Sequence, residues 1–198
     1  MSQERAQVRR QRILDAALDV FAAKGYRDAA VDDIADVSET SKGGVYFHFP
    51  GKQAIFLALL DRTASRLRTK IEGAIAAEQG SIRRADAALR TVVETFSAHR
   101  ALARLFMVEA LGGGKEFHRR MAEIRSEFAA VVTTHLEQAV VDGEIEPIDT
   151  EVAGRAWFGA VNEVITQWVL ADDSRPLDEA YAALQPLLRR SVGLEGDA

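Results

Sequence analysis

The chain has 198 residues, of which 47% are hydrophobic and 28% charged, with a net charge of −5 and no cysteine. This length fits one domain, or a small domain joined to a larger one, and the composition is typical of a globular protein with a buried core. The lack of cysteine excludes disulfides, thiolate metal sites and cysteine nucleophiles. No stretch approaches the roughly 18 apolar residues of a membrane helix, and the N-terminus lacks the apolar run of a secretory signal. We therefore expect a cytoplasmic protein without a membrane partner.

The distribution of proline predicts an all-α fold. The long span between the first two prolines, residues 51–146, is rich in Ala, Leu, Arg and Glu, which is helix composition. Apolar residues alternating with polar ones, the pattern of a half-buried strand, are not visible. The prolines themselves stand at Pro50, Pro147, Pro176 and Pro186.

Three short helices are predicted within the first fifty residues. Apolar side chains at helical spacing favour a helix over residues 5–24, which Gly25 would end. Residues 31–37 open with acidic side chains, as suits a helix N-terminus, and residues 42–49 form a short segment before Pro50. These elements predict a small N-terminal domain of residues 1–51.

Long amphipathic helices are predicted from Lys52 onward, forming a second all-helical domain of residues 52–198. Asp149 is the expected N-cap of the fifth of them. The glycine triplet at 112–114 is interpreted as a helix stop, because no strand precedes it as a phosphate-binding loop would require. The predicted helices cover residues 52–77, 81–99, 101–111, 115–142, 150–170 and 176–192.

Two short helices separated by a polar turn make a candidate helix-turn-helix. The residues Gly25-Tyr26, the segment 31–35 and the segment 41–52, with its run Val-Tyr-Phe-His-Phe-Pro, resemble the TetR family of bacterial transcriptional regulators. The resemblance implies an N-terminal three-helix DNA-binding domain followed by a ligand-binding and dimerisation domain. It further implies a ligand-responsive repressor that binds a palindromic operator as a dimer.

The helix-turn-helix supplies the candidate DNA-binding residues. Its two glycines would let the backbone approach a DNA strand, and its cationic, hydroxyl and imidazole groups suit phosphate oxygens. Lys52 would add a cation beside the free N–H groups of a helix start, and Arg12 would join the two arginines before it at the backbone or minor groove. Val45, Phe47 and Phe49 are assigned to the core of the domain. The predicted contacts are Arg9, Arg10, Thr40, Ser41, Lys42, Gly43, Gly44, Tyr46, His48 and Lys52.

Some features of this segment depart from the family pattern. Glu39 stands where glycine is common and Thr40 where an aliphatic residue is common, which predicts an altered turn, and Ala30 replaces a capping threonine. Up to residue 53 the eight cations and eight acids balance, so we expect the acidic second helix to face away from DNA. The cations are Arg5, Arg9, Arg10, Arg12, Lys24, Arg27, Lys42 and Lys52; the acids are Glu4, Asp15, Asp19, Asp28, Asp32, Asp33, Asp36 and Glu39.

The last two helices are the candidate dimer face, because one carries small side chains along one side and the other an apolar stripe. Burial of both stripes within one protomer is the alternative. The predicted dimer residues are Ala156, Gly159, Ala160, Leu177, Tyr181, Leu184 and Leu188.

Large apolar side chains with a few polar groups among them predict a cavity for a small hydrophobic effector, although each residue could equally be ordinary core. The second half resembles family members that sense fatty acyl compounds, while aromatic or drug-like effectors stay open. The predicted lining residues are Phe96, Leu102, Phe106, Met121, Ile124, Phe128, His135, Trp157 and Asn162, and Glu109 is a further polar candidate.

An all-α enzyme, or a carrier of hydrophobic ligands without DNA function, is the alternative from another class. The sequence shows no paired metal-ligand spacing among its histidines, no HExxH and no GxSxG, so we expect neither a catalytic site nor a metal or cofactor. The expected partners are an operator in double-stranded DNA, a small hydrophobic effector and a second copy of the chain.

Overall fold

The computed structural model describes residues 2–108 and 114–194, and these residues form helices without any strand. The expectations for Glu109 and for the first two glycines of the triplet lie outside the described residues. The all-α prediction is confirmed.

Three helices form the N-terminal unit: α1 (Ser2–Asp28), α2 (Val31–Val37) and α3 (Lys42–His48). The predicted stop at Gly25 is visible as a break in α1, since its φ of 76° lies in the left-handed region that favours glycine. At the start of α2, Ala30 has no side-chain acceptor, and instead its own N–H donates to the Asp33 carboxylate at 3.0 Å.

In the described part of the chain six helices follow: α4 (Lys52–Ala76), α5 (Ser81–Ala98), α6 (Arg100–Met107), α7 (Lys115–Val141), α8 (Thr150–Leu170) and α9 (Leu177–Ser191). Asp149 caps α8 as expected, because its carboxylate accepts from the N–H of Val152. The start of α5 is capped from a distance, since the Glu144 carboxylate accepts from the N–H groups of Ser81 and Ile82.

An aromatic cluster joins the N-terminal unit to the longer helices. Phe21 and Tyr26 of α1 contact Phe56 of α4, with ring centroids 5.1 and 4.9 Å from it. Phe117, near the start of α7, stacks on Phe56 at 4.9 Å and meets Tyr26 edge-on at 5.0 Å. The N-terminal unit and α7 therefore share one packed core.

The start of α7 is also held to α4 by polar contacts. The Gln53 side chain donates to the Glu116 carboxylate, and Arg120 pairs with Asp61 at 2.6 Å. The start of α7 therefore contacts both α4 and the N-terminal unit. Among the residues that the structure describes, no helix is long and apolar enough to cross a membrane.

Candidate DNA-binding face and effector cavity

The recognition helix α3 is set by its own first turn. The Ser41 hydroxyl accepts from the N–H of Gly44 at 3.1 Å, which is the N-cap interaction. A Cβ built on Gly44 would lie 2.8 Å from the Thr40 methyl, whereas one on Gly43 would meet nothing within 4 Å. The turn therefore favours glycine at position 44. At position 43 the fold leaves room for a side chain, so the small size of Gly43 matters only if another molecule approaches α3 there.

The prediction that Phe47 lies in the core is wrong. Val45 and Phe49 are buried, at 0% and 3% exposure, but Phe47 is 82% exposed. The reason is helical geometry: residues four apart share a face, and the residue midway between them points to the opposite side. Tyr46 is also exposed, so α3 presents two adjacent aromatic side chains to solvent.

A cationic cluster lies beside these aromatic residues. The Arg10 guanidinium sits 4.9 Å above the Phe49 ring, while Arg9 is exposed. Partial burial and then the charges of Arg9 and Arg10 hold the pKa of His48 below its usual value. Arg9, Arg10 and His48 thus lie close together at the end of α3 that carries the exposed aromatic side chains.

The predicted phosphate contact at Lys52 is corrected by the structure. Its ammonium donates to the carbonyls of Tyr26, Arg27 and Ala29, at 2.8, 2.9 and 2.8 Å. An ammonium has three N–H donors, so all of them are used within the domain. Lys52 satisfies carbonyls that the break in α1 frees, and its charge also lies 4.8 Å from the Tyr26 ring.

Arg12 and Thr40 likewise serve the turn rather than an open face. The Arg12 guanidinium donates to the Ser38 carbonyl at 2.7 Å and to that of Glu39, and Thr40 donates its hydroxyl to Ser38. Glu39 takes a φ of 49°, the left-handed conformation that glycine adopts without strain. The turn keeps its helix-turn-helix path, and Arg12 bonds the carbonyl of the strained Glu39 and that of the preceding Ser38.

Two of the acidic side chains of α2 form ion pairs, one of them with the recognition helix α3. Asp32 pairs with Lys42 at 2.8 Å, and this exposed pair raises the pKa of Lys42. Asp33 accepts from Lys24 and from the backbone of Ala30, which lowers the pKa of its carboxyl. Lys42 is available to a phosphate only by exchanging Asp32 for it, a small change because both groups are solvated.

A narrow apolar cavity lies between α4, α5, α6, α7 and α8. Its cavity volume is only about 30 Å³. Six of the predicted lining residues are there: Phe96, Phe106, Met121, Ile124, Phe128 and Asn162. We call this space the inner cavity.

Three predicted lining residues are elsewhere. Trp157 is buried against α9, where its indole N–H donates to the Ser191 hydroxyl at 3.0 Å. Leu102 faces a groove between α1, α4 and α6, and His135 is half-buried farther along α7, where burial and the charge of Arg84 lower its pKa. Apolar residues at helical spacing identify the side chains that are buried. Whether such a side chain lines a cavity depends on which helices pack against it.

The charged residue of the cavity was not predicted from the sequence. Arg125 lines the inner cavity together with Leu67, Val92, Met107, Phe158, Val161 and Ile165, none of which was predicted. Arg125, Phe158 and Asn162 also line a second, wider space between α7 and α8, with a volume of about 700 Å³ and partly open to solvent. We call it the outer cavity, and it meets the inner cavity at these three residues.

The predicted dimer stripe on α9 is largely wrong. Leu177, Tyr181 and Leu188 are 1%, 5% and 7% exposed within one protomer, and the Tyr181 hydroxyl donates to Asp86 of α5. Burial and then the Asp86 charge raise the pKa of Tyr181 well above its usual value. Their spacing marks the face of α9 that packs inward, so they cannot form an interface.

The outward sides of α8 and α9 remain open. Ala156 and Gly159 are exposed, Ala160 and Leu184 are half-buried, and Gly159 has no atom within 4 Å of an added Cβ. Val152, Leu170 and Leu187 add exposed apolar side chains at 61%, 54% and 54%. Among the described residues no group of three potential metal ligands comes together.

Comparison with known proteins agrees with this architecture. Residues 13–59 match the family model described as bacterial regulatory proteins of the tetR family, and residues 78–179 match the tetracyclin repressor-like C-terminal domain. A helix-turn-helix head joined to such a domain defines a DNA-binding regulator. The chain belongs to the TetR family, as the sequence predicted.

Individual relatives agree as well. The chain is 30% identical over 183 residues to the transcriptional regulator TtgR of Pseudomonas putida, covering 87% of this chain and 86% of that protein. It is 24% identical over 166 residues to the fatty acid metabolism regulator protein of Bacillus subtilis, covering 83% and 86%. Both are named as regulators, which favours regulation over the enzyme alternative.

A solved structure shares the fold. The regulator FadR of Bacillus subtilis, in complex with stearoyl-CoA, superposes with a TM-score of 0.84 at 23% identity, covering 92% of this chain and 97% of that one.

Proposed function

We propose that the protein is a dimeric repressor that binds a palindromic operator and releases it when a small hydrophobic effector, of the fatty acyl class, enters the inner cavity. The observation that carries the proposal is the course of α7. This helix lines the cavity at Met121, Ile124 and Phe128, and one turn earlier it contributes Phe117 to the aromatic cluster of the N-terminal unit.

The DNA-binding part rests on the exposed end of α3 and the cations beside it. Arg9, Arg10, Ser41, Lys42, Tyr46 and His48 supply donors for phosphate oxygens, and Gly43 leaves room for a DNA backbone. Phe47 is the candidate for reading sequence, because an exposed apolar ring can contact a thymine methyl group in the major groove.

The test uses DNA duplexes selected by the protein from a random pool, with affinity measured by fluorescence anisotropy. Phe47→Ser should lower affinity for the selected duplex by roughly 1 to 3 kcal/mol, the value of one good base contact, with little effect on mixed-sequence DNA. Val37→Ser, which removes an apolar side chain of 53% exposure from α2, is the matched control. Equal binding by both variants would remove Phe47 from the interface.

The effector part rests on the narrowness of the inner cavity. A chain of several methylene groups cannot enter without moving its walls, and α7 is held to α4 and to the aromatic cluster at its other end. A ligand can release DNA only if it binds the DNA-bound and DNA-free arrangements of the two N-terminal units with different affinity. A moved α7 provides that difference. The fatty acid regulator and the stearoyl-CoA complex of the relatives support an acyl effector.

Decanoyl-CoA is the probe for release. We expect it to raise the dissociation constant of the selected duplex at least tenfold, within the usual range of allosteric coupling. Phe117→Leu should bind the probe but respond less, because the contact between α7 and the head is weakened. Val132→Ala, a buried change on α7 outside the cluster and the cavity, is the control. An undiminished response in Phe117→Leu would exclude this route.

The dimer rests on the outward sides of α8 and α9, where Val152, Ala156, Gly159 and Leu187 leave apolar and small side chains open. Two such helices from each protomer can pack as a twofold bundle. Leu187→Glu should shift the protein to monomer in analytical ultracentrifugation and abolish tight operator binding. Val141→Glu, with a side chain 79% exposed at the end of α7, should stay dimeric.

A further inference from the structure

The contact point of the two cavities is unusual because it carries a charge. Of the described residues that line the inner cavity, Arg125 alone is charged, and its Nε is buried without a hydrogen-bond partner. A buried N–H left unpaired costs free energy, and the cost is larger when the group is charged. Such a group is expected to have a ligand for a partner.

Among the residues that the structure describes, no acid forms an ion pair with Arg125. On its own helix, Glu123 pairs with Arg120, and Glu127 pairs with Arg68 and Arg120. In the outer cavity, Glu151 pairs with Arg155 at 2.6 Å. Glu137 lies twelve residues farther along α7, which is about 18 Å at the rise of an α-helix.

The remaining polar group at this point is Asn162. Its side-chain amide makes no hydrogen bond with any residue that the structure describes, while its backbone carbonyl accepts from Thr166. Arg125 and Asn162 together present unpaired N–H donors at the mouth of an apolar cleft. Toward the inside everything is apolar, and toward the outside the space widens and becomes polar.

We propose that Arg125, assisted by Asn162, binds the anionic head group of an amphiphilic effector whose apolar chain fills the inner cavity. The head could be a free carboxylate, held directly by the guanidinium, or the phosphate-bearing end of an acyl-CoA, extending into the outer cavity. This inference rests on the proposed function and adds the class of ligand and the residue that selects it. Gly159 borders both the outer cavity and the open side of α8, so the head group lies beside the proposed dimer face.

The experiment compares three ligands with the same ten-carbon chain: decanoate, decanoyl-CoA and 1-decanol. Dissociation constants are measured by calorimetry on the full chain, as wild type and as Arg125→Met, which keeps an unbranched apolar stem but removes the charged guanidinium. We expect the wild type to bind at least one anionic ligand tenfold or more tightly than the alcohol. In Arg125→Met the affinity for that anionic ligand should fall to the affinity for 1-decanol, and the affinity for 1-decanol should not change.

Two further variants serve as controls, one for the charge at position 125 and one for the loss of an arginine elsewhere on α7. Arg125→Lys should keep part of the preference, since it retains the charge but not the planar fork of donors. Arg119→Met, at an exposed position of the same helix, should behave as wild type in every arm. If Arg125→Met unfolds, Arg125→Gln replaces it.

The arms separate the sources of the head group. Tighter binding of decanoate assigns a carboxylate, and tighter binding of decanoyl-CoA assigns the outer cavity to the rest of the head. An unchanged anion preference in Arg125→Met, or a wild type that binds the alcohol as tightly as both anions, would overturn the inference. Anion binding through Arg125 without any release of DNA would instead contradict the proposed effector function and leave this inference standing.

Discussion

The basic side chains of the N-terminal unit and the arginine of the inner cavity differ in their hydrogen-bond partners. In the N-terminal unit, Lys52 donates all three of its N–H groups to backbone carbonyls, and Arg12 donates through Nε and Nη2 to the carbonyls of the turn. Arg125 instead lines the inner cavity, and its buried Nε has no hydrogen-bond partner. The contrast shows that the position of a cation in the sequence says little about its role. Its partners decide whether it stabilises the protein or remains available to a ligand.

Replacement of Lys52 should cause the largest change. Lys52→Met removes three charge-assisted hydrogen bonds and should lower the free energy of unfolding by about 3 kcal/mol. Lys70→Met, which changes an exposed lysine of the same helix, should stay within about 0.5 kcal/mol of wild type. Denaturant unfolding gives both values. Equal stability of the two variants would return Lys52 to the list of candidate DNA contacts.

His48 tests the availability of the cationic cluster. Its lowered pKa leaves it neutral in the free protein at pH 7, and a phosphate beside it would favour the charged form. DNA binding should therefore take up a proton, and affinity should rise as pH falls from 7.5 to 6. The limit is about tenfold per pH unit for each head. In His48→Gln this rise should be absent, and a pH-independent wild type would exclude His48 from the interface.

The two glycines of α3 separate folding from binding. Gly44→Ala places a methyl group against Thr40 and should cost roughly 1 kcal/mol of stability. Gly43→Ala meets open space and should instead gain up to about 1 kcal/mol through helix propensity. If the backbone of α3 approaches DNA here, Gly43→Ala loses operator affinity although it is the more stable variant. Retained affinity would leave both glycines with a structural role alone.

Glu39→Gly should have the smallest effect. Glycine relieves the left-handed backbone at φ 49° and should raise the free energy of unfolding by about 0.5 to 1 kcal/mol. The ion pair with Arg12 that it removes is long and exposed, so its loss is nearly neutral. Glu39→Ala, which keeps the strain, should show no gain in the same denaturant titration.

The helices and the helix-turn-helix could be predicted from sequence because their signals are local. Gly25 and Asp149 act on the turn in which they stand, and both predictions are confirmed. Cavities and interfaces depend on which helix packs against which. The apolar spacing of Tyr181 therefore identified a buried face without showing what covers it, and Arg125, a charged residue in an amphipathic helix, was indistinguishable from a solvated side chain.

We propose that a ligand in the inner cavity moves the two DNA-binding domains of a dimer relative to each other. The chain has no cysteine, so Val37→Cys, at an exposed position of α2, gives one spin label on each head. Pulsed electron–electron double resonance then measures the distance between the two labels. We predict one main distance in the free protein and a shifted distribution when decanoyl-CoA is bound. An identical distribution with bound ligand, or no dipolar signal between protomers, would contradict the account.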